Sequence, residues 1–596
     1  MTEWVDEFDG GSSPIKIQAW IGYDEDYIYF AAKVEKDPGT VRSTRFRPNQ
    51  GVGNDDRFTI GFDARAIGSV RDVFLINANR GSSISLAGGR AAKVEWIGEF
   101  DSVGRVTETG FEAECRIPWR LISDLRPGRR DINILIEYDD PVTEKEYTLW
   151  RVGNDSNLQA KWTDVDVPEV DFPRVAKILG YGYVGATDGE SFESGAGLDF
   201  KVPLTTSLTA VGTLNPDSRN IQNSILGIDF DYLERLAGEN RPFFDEGAGY
   251  FPSGIFASQR IRTIDAGFKL YGQVTDRLGI GALTTFDFGN ERVSVVSARG
   301  STPSQFGYSA SFVDYDVPGR RSRAMAFNTS QRIGAFSVSA GHSLTDDELR
   351  GYGTNTNFSL SRGGGGWNFN FGWREVSANF FPRAGFAPER NFRRYAVSGF
   401  RFAQYRTGPL RSLVYGASWQ TSSRLTGEKY RGGIDSSVSM TFRNDLSLSF
   451  ERDFSYFGNN SDNLTSLYLS YPSNNPDRYV YAGANWGKVN QDDYTLASFG
   501  FGYKFDEKLR WFLNADVRRH TTNAEQLTTT LNYDLDAFQA VSFRAVYDQG
   551  RWNPYVTYRM SGNRGNEYFL IFGDPASDQF RRRLAFKMSV PWEIRF

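Results

Sequence analysis

The sequence predicts an all-β protein in two parts: an N-terminal antiparallel β-sandwich, then a large transmembrane antiparallel β-barrel of roughly 20–24 strands with an inward plug-like loop. Three observations predict it. From Leu584 to the end, Leu584, Phe586, Met588, Val590, Trp592, Ile594 and Phe596 share one parity, while Ala585, Lys587, Ser589, Pro591, Glu593 and Arg595 share the other. Successive strand side chains point to opposite faces, so this run has one apolar and one polar face. Comparable runs of about 8–12 residues recur from residue 176 onward, as spanning strands should. Aromatics at 15% and 61 Gly in 596 residues suit many twisted strands and tight turns.

Composition narrows the class further. The mean hydropathy is −0.46, and no run of about 18 apolar residues occurs, which excludes a helical membrane protein and leaves a barrel allowed. A net charge of −5 and a pI near 5.5 argue against nucleic acid as a partner. Cys115 is the single cysteine, so no internal disulfide forms, as an oxidising envelope compartment tolerates. Met1 is followed by Thr-Glu-Trp-Val-Asp-Glu, which has neither a basic start nor an apolar core. A barrel reading therefore expects the numbering to describe a mature or truncated form.

Residues 1–165 read as short strands. Ile17–Tyr23 and Tyr27–Val34 flank the polar turn Asp24-Glu25-Asp26, a hairpin. Asp56–Asp63, Val73–Ala78, Ala92–Ile97, Gly110–Ile117, Asp131–Tyr138 and Glu146–Val152 follow, with one helical turn at Pro118–Ile122. Turn signals at this spacing predict a sandwich. Residues 166–175, acidic and interrupted by Pro168 and Pro173, read as a linker.

Beyond it, Leu446/Leu448/Phe450, Ala497/Phe499/Phe501/Tyr503/Phe505, Leu509/Trp511/Leu513 and Val541/Phe543/Ala545 alternate with polar or small residues. Arg, Asp and Asn on the opposite parity suit a wet lumen. The alternation lapses between residues 215 and 262, where Pro, Asp and Phe accumulate, and a plug-like loop folding into the lumen is expected there. Pro591 cannot donate to a ladder, so a break is expected at it, with closure against residues 176–186 resting chiefly on Leu584–Val590.

Four pieces of the front part carry a resemblance: Gly22-Tyr23-Asp24 with Tyr27-Ile28-Tyr29, Asn54-Asp55-Asp56-Arg57-Phe58, Asn77-Ala78-Asn79-Arg80-Gly81, and Gly110-Phe111-Glu112 through Ile117-Pro118-Trp119. Together they resemble family 9 carbohydrate-binding modules, in the divergent version that precedes a bacterial outer-membrane barrel family, DUF5916. Only Trp4 to Pro14 precedes the first hairpin, so the module looks clipped. In the second part Leu214-Asn215-Pro216-Asp217, Arg241-Pro242-Phe243-Phe244-Asp245-Glu246-Gly247, Phe256-Ala257-Ser258-Gln259-Arg260-Ile261 and Asn379 through Phe386 resemble four successive marks of the DUF5916 barrel. The resemblance covers most of the chain. It implies an outer-membrane location with outer-membrane lipid around the barrel; with an even strand number both barrel ends lie on the periplasmic side, so a periplasmic front module is expected.

Familiar catalytic constellations are missing from the sequence. His342 and His520 are the two imidazoles, too few for most His-based metal sites or a triad, and no nucleophile elbow, zinc motif or phosphate loop occurs. Acidic pairs such as Asp55/Asp56, Asp139/Asp140 and Asp492/Asp493 keep a carboxylate-pair glycosidase open as an alternative, with solvated turns or lumen walls as the plainer reading. Trp20, Trp96, Trp119 and Trp150 offer flat faces to sugar rings. Trp20 and Trp119 are expected in the core, leaving Trp96, beside Glu95, as the ligand platform, with Asp55, Asp56 and Arg80 as companions. No resident cofactor is expected; Asp55, Asp56 and Asp63 are the hard-oxygen set that a Ca²⁺ ion in the sandwich would take. Arg510, Arg518, Arg519, Arg544 and Arg581–Arg583 would either attract anionic solutes and lipopolysaccharide phosphates or pair with Asp516, Asp534 and Asp548. In the plug-like loop Asn215, Asp217, Arg241, Phe243, Phe244, Glu246 and Arg260 are the residues to place, with Arg241 and Glu246 expected to fix the loop to the wall.

The function these readings favour is binding or passage of a glycan or other envelope ligand, without catalysis. The alternatives are a carbohydrate hydrolase and an anchor in a complex with other outer-membrane or periplasmic proteins.

Overall fold

The computed structural model describes residues 1–596 apart from 8–9, 47–51, 65–71, 87–99, 123–124, 144, 150–159, 170–174, 206, 217–226, 237, 240, 276, 303, 305, 365, 406, 474, 476, 507, 537, 563–565 and 596. Its first part is two antiparallel sheets enclosing one core. The smaller has the order Lys16–Tyr23, Tyr27–Glu35, Gly110–Pro118, Asp101–Thr107. In the larger, Gly128–Asp140 pairs with Lys145–Thr148, Arg57–Asp63 and Ala160–Val167, and the sheet continues through Asp72–Asn77 to Ser82–Ser85.

The first hairpin forms because the Asp24 carboxylate accepts from the backbone N–H of Asp26 and of Tyr27, each at 2.8 Å, which closes the turn. Ile17 and Ala19 then face inward with Ile28, Phe30, Ala32 and Val34. The sheets meet through aromatic rings, Phe58 lying 5.6 Å from Phe30 and 5.9 Å from Phe111.

Of the two tryptophans expected in the core, one is not there. Trp119 is in the core and its indole N–H donates to Asp24 O at 2.8 Å, but Trp20 is 53% exposed. Ile17 and Ala19 occupy the inward parity, which forces Trp20 to the outer face. Trp96, Trp150 and the expected strand Ala92–Ile97 lie outside the described residues. Ala160–Val167 also takes in the first two residues of the stretch read as a linker.

The second part is a closed barrel. Among the described residues 24 strands, from Val175–Thr187 to Arg583–Arg595, each pair with the next, and the last pairs with the first. Closure removes every free edge, and only helices and closed barrels satisfy their backbone groups inside a membrane. No helix among the described residues is long and apolar enough to cross a membrane. The strands alternate as their sequence requires: Phe268, Val296, Met325, Phe327, Phe454, Phe499 and Phe586 stand exposed outside, while Lys269, Ser297, Asp314 and Thr345 are buried on the inner parity. An apolar outer face around a closed antiparallel barrel makes this an outer-membrane β-barrel spanning the bilayer with its strands.

The seam corrects the expectation about Pro591. The closing ladder runs from Val175↔Arg595 to Thr187↔Arg583 without a shift, and Pro591 stands opposite Leu179 inside it. On the other side the pairing with Glu567–Phe572 has already ended at Glu567↔Ser589. Pro591 thus sits where its strand has edge character, and its missing N–H interrupts nothing.

Both ends of the barrel sequence lie at one rim, since Val175 pairs with Arg595. The sandwich touches turns of that rim: Arg411 Nη1 donates to Val142 O at 3.4 Å, and Arg45 Nη2 lies 3.5 Å from Asp477 Oδ1.

Candidate functional site in the barrel lumen

Between the strands Leu208–Leu214 and Ala266–Thr275 the chain leaves the wall, as the lapse in alternation requires, and packs against inward-facing residues. Asn215 closes the base of this excursion in a left-handed conformation (φ 47°). Its N–H donates to Asp265 O at 2.6 Å, its amide to Ala196 O at 2.5 Å, and its carbonyl accepts from the Tyr181 hydroxyl.

Arg241, Phe243, Phe244 and Glu246 are brought together on one turn, Pro242–Asp245 and the residues beside it. The Arg241 guanidinium donates to Ile261 O and Ser258 O, each at 2.7 Å, pairs with Glu239 at 2.8 Å, and covers the Phe244 ring at 4.3 Å. It therefore folds the segment onto itself. Glu246 reaches the wall: its Oε1 accepts from Lys201 Nζ and from the Tyr271 hydroxyl, each at 2.5 Å, while Lys269 Nζ donates to the carbonyls of Phe243 and Glu246. Gly247 follows with φ 69°, and a Cβ there would stand 2.6 Å from the Tyr271 ring, so both backbone and space demand glycine.

The other end of the segment crosses the lumen. Tyr232 stacks on Phe457 at 4.6 Å and donates to Asp462 at 2.8 Å, and Arg518 Nη1 donates to Ile228 O at 2.7 Å. The segment thus ties the wall at Lys201 and Lys269 to the wall at Phe457 and Arg518. Arg260 pairs with Glu234 at 2.7 Å and lies 5.5 Å from the Phe386 ring, which belongs to a second inward stretch between Val376 and Phe392. Ala257 N–H donates to Ala384 O at 2.6 Å and Phe386 N–H to Gly254 O at 2.8 Å, joining the two stretches. Asp217 lies outside the described residues.

The front candidates stay apart from the lumen segment. Asp55 accepts from Thr44 N–H (2.9 Å) and hydroxyl (2.8 Å), Arg45 N–H (3.0 Å) and the Asn77 amide (2.8 Å). Asp56 accepts from Lys36 Nζ (2.8 Å), Arg42 N–H (2.7 Å) and the Tyr138 hydroxyl. Burial raises both carboxyls, against the opposing pull of these donors. Their oxygens hold the 41–45 stretch in place, and among the described residues no three His, Cys, Asp or Glu form a metal-holding group. Arg80 is exposed at the tip of the turn that Asn77 Oδ1 closes, with φ 63°.

Most of these arginines meet carboxylates or carbonyls, although seldom the acids expected, and Arg544 donates to the Tyr555 hydroxyl at 3.4 Å. Arg510 pairs with Asp534 at 2.6 Å as anticipated, but Arg519 takes Glu525 at 2.7 Å, Arg583 takes Glu193 and Asp574, and Asp516 accepts from Ser498 at 2.6 Å. Missed altogether were Lys201, Lys269 and Tyr271, the wall partners of the segment. The available signal was a lysine on the inward parity of an otherwise small or apolar strand.

No family model matches the chain, and no curated protein matches it. Among solved structures it is similar to the siderophore receptor PirA from Pseudomonas aeruginosa, with a TM-score of 0.39 and 10% identity over 72% of this chain and 82% of that one. It is also similar to PirA from Acinetobacter baumannii, with a TM-score of 0.38 and 8% identity over 77% and 85%. A third similar structure is the P pilus usher PapC translocation pore, with a TM-score of 0.29 and 10% identity over 71% and 100%.

Proposed function

We propose that this outer-membrane barrel binds or passes a glycan or other envelope ligand without catalysis, with its sandwich as the capturing module on the periplasmic side. The observation that carries the reading is the outer face of the smaller front sheet. Trp20 lies there half exposed, opposite Ala31 in the ladder and next to Tyr29, also exposed, which stands opposite Gly22. Small residues beside two rings leave a flat apolar surface, and Gln18, Lys33, Glu114 and Arg116 on the same parity ring it with polar groups. That combination suits the apolar face and hydroxyl edge of a sugar ring. The resemblance of the front part to family 9 carbohydrate-binding modules supports the same reading. The periplasmic assignment is supported by the rim that the sandwich touches, because both ends of an even-stranded barrel conventionally face the periplasm.

Glycan-array binding by the full chain in detergent tests the proposal. Binding that Trp20→Ala reduces at least about tenfold, the loss of roughly 1.4 kcal/mol, supports it. Binding indifferent to Trp20→Ala removes the platform, and sugar release abolished by a single carboxylate substitution would replace the proposal with a hydrolase.

A further inference from the structure

The segment and the second inward stretch roof a cavity of about 480 Å³ against the wall formed by the strands from Glu291–Ser301 to Trp367–Val376. This volume is in the range of small-molecule sites, roughly 300–1,000 Å³. The wall is built in rows. One row runs straight across six strands by direct register: Arg299, Ser309, Asn328, Gly341, Asn357, Arg374. The next row places Ser297, Ser311, Ala326, Ser343 and Asn355 beside it. Short amides and hydroxyls on one parity leave space where larger side chains would fill the lumen. At Gly341 the gap is used: a Cβ would stand 2.5 Å from Asn328 Oδ1 and 2.8 Å from Asn357 Nδ2.

Charge and roof complete the pattern. The long row ends in a guanidinium at each side, roughly 24 Å apart at five strand spacings. Among the described residues neither Arg299 nor Arg374 forms an ion pair, and no carboxylate lines the cavity. Arg299 lies 4.5 Å over the Tyr250 ring and Arg374 Nε donates to Asn355 Oδ1 at 3.1 Å, which hold both in place without neutralising them. Phe251 and Phe386, both partly exposed, supply ring surface on the roof side, while Tyr250 and Phe380 at the cavity are buried. An apolar ligand would strip water from the amides without replacing their hydrogen bonds. A bare ion would leave the rings unused.

We propose that this cavity is a binding site for an acidic, hydroxyl-rich oligosaccharide, its hydroxyls on the Ser/Asn rows, its ring faces on the roof aromatics and its carboxylate or phosphate groups on Arg299 and Arg374. The inference rests on the glycan reading above and assigns that reading a lumen site separate from Trp20. Carboxylate–guanidinium contacts are charge-assisted and directional, which makes them the selective part of the site.

Calorimetry on the full chain in detergent, with trigalacturonate and neutral maltotriose as probes, tests it. Trigalacturonate is expected to bind at least about tenfold more tightly, the contribution of one charge-assisted hydrogen bond. Arg374→Gln reduces that preference and Arg299→Gln with Arg374→Gln removes it, and Ser311→Trp, which fills the cavity, abolishes binding while the unheated protein keeps its compact gel mobility. Trp20→Ala leaves this binding in place. Competition by rough lipopolysaccharide identifies the envelope lipid as source, and no competition identifies a soluble glycan. Equal binding of both probes overturns the inference. Binding that survives Ser311→Trp and Arg374→Gln but is lost in Trp20→Ala overturns it while the glycan reading stands; no binding of either probe by folded protein overturns it too, and with an empty glycan array overturns both.

Discussion

Glu246 carries the attachment of the lumen segment, because one carboxylate oxygen serves both Lys201 and Tyr271 at 2.5 Å and the residue is 2% exposed. Removing it takes away the charge opposite a lysine in a dry place. Glu246→Ala is expected to cost about 3 kcal/mol, the lower end for breaking a buried pair, read as a lowered urea midpoint of detergent-folded protein. In the sandwich, Glu146 is pushed up to about 7, first by its hydrogen bond with Glu7 and then by burial. Asp55, Asp56 and Asp139 are raised as well, chiefly by burial. Groups with raised folded-state values bind protons more tightly when folded, so the stability each contributes is full in acid and is lost as pH rises through its folded value, which for Glu146 is about 7. The melting temperature of the sandwich should therefore fall between about pH 5 and about pH 8, and Glu146→Gln should flatten that fall. An unchanged slope in the variant would remove Glu146 from the account.

The closing strand Arg583–Arg595 shows how an element divides its residues between two solvents. Met588 is 40% exposed on the outer face and Ser589 is 6% exposed on the inner one, one residue apart. Met588→Arg places a charge near the bilayer midplane and should cost about 2–4 kcal/mol, visible as reduced folding into vesicles. Ser589→Thr, on the other parity, should fold normally. Sandwich strands obey the same alternation with a packed core on one side. Phe58 is fully buried between Phe30 and Phe111, and Phe58→Ala should cost about 3–5 kcal/mol. Only the sandwich transition should move, since barrel strands pair with barrel strands alone.

For the whole molecule, a closed ladder of 24 strands predicts slow, all-at-once opening. Unheated protein in detergent should run faster on a gel than boiled protein, and equal mobility would contradict closure. The strand class, the inner and outer parity of Leu584–Ile594 and the lapse between residues 215 and 262 were legible in the sequence, because alternation is a local property of the backbone and needs no neighbour to be read. Which parity of Lys16–Tyr23 faces the second sheet was not, and Trp20 was misplaced for that reason. Nor could the sequence show that Pro591 falls beyond the end of Glu567–Phe572, since this depends on the length of a neighbouring strand. What the sequence by itself determined is a chain of amphipathic strands with one long inward excursion. Tertiary structure alone decided that Lys201, Tyr271 and Glu246 meet, and that Arg299 and Arg374 end one row of amides and hydroxyls, because register and closure bring together residues that are distant in sequence.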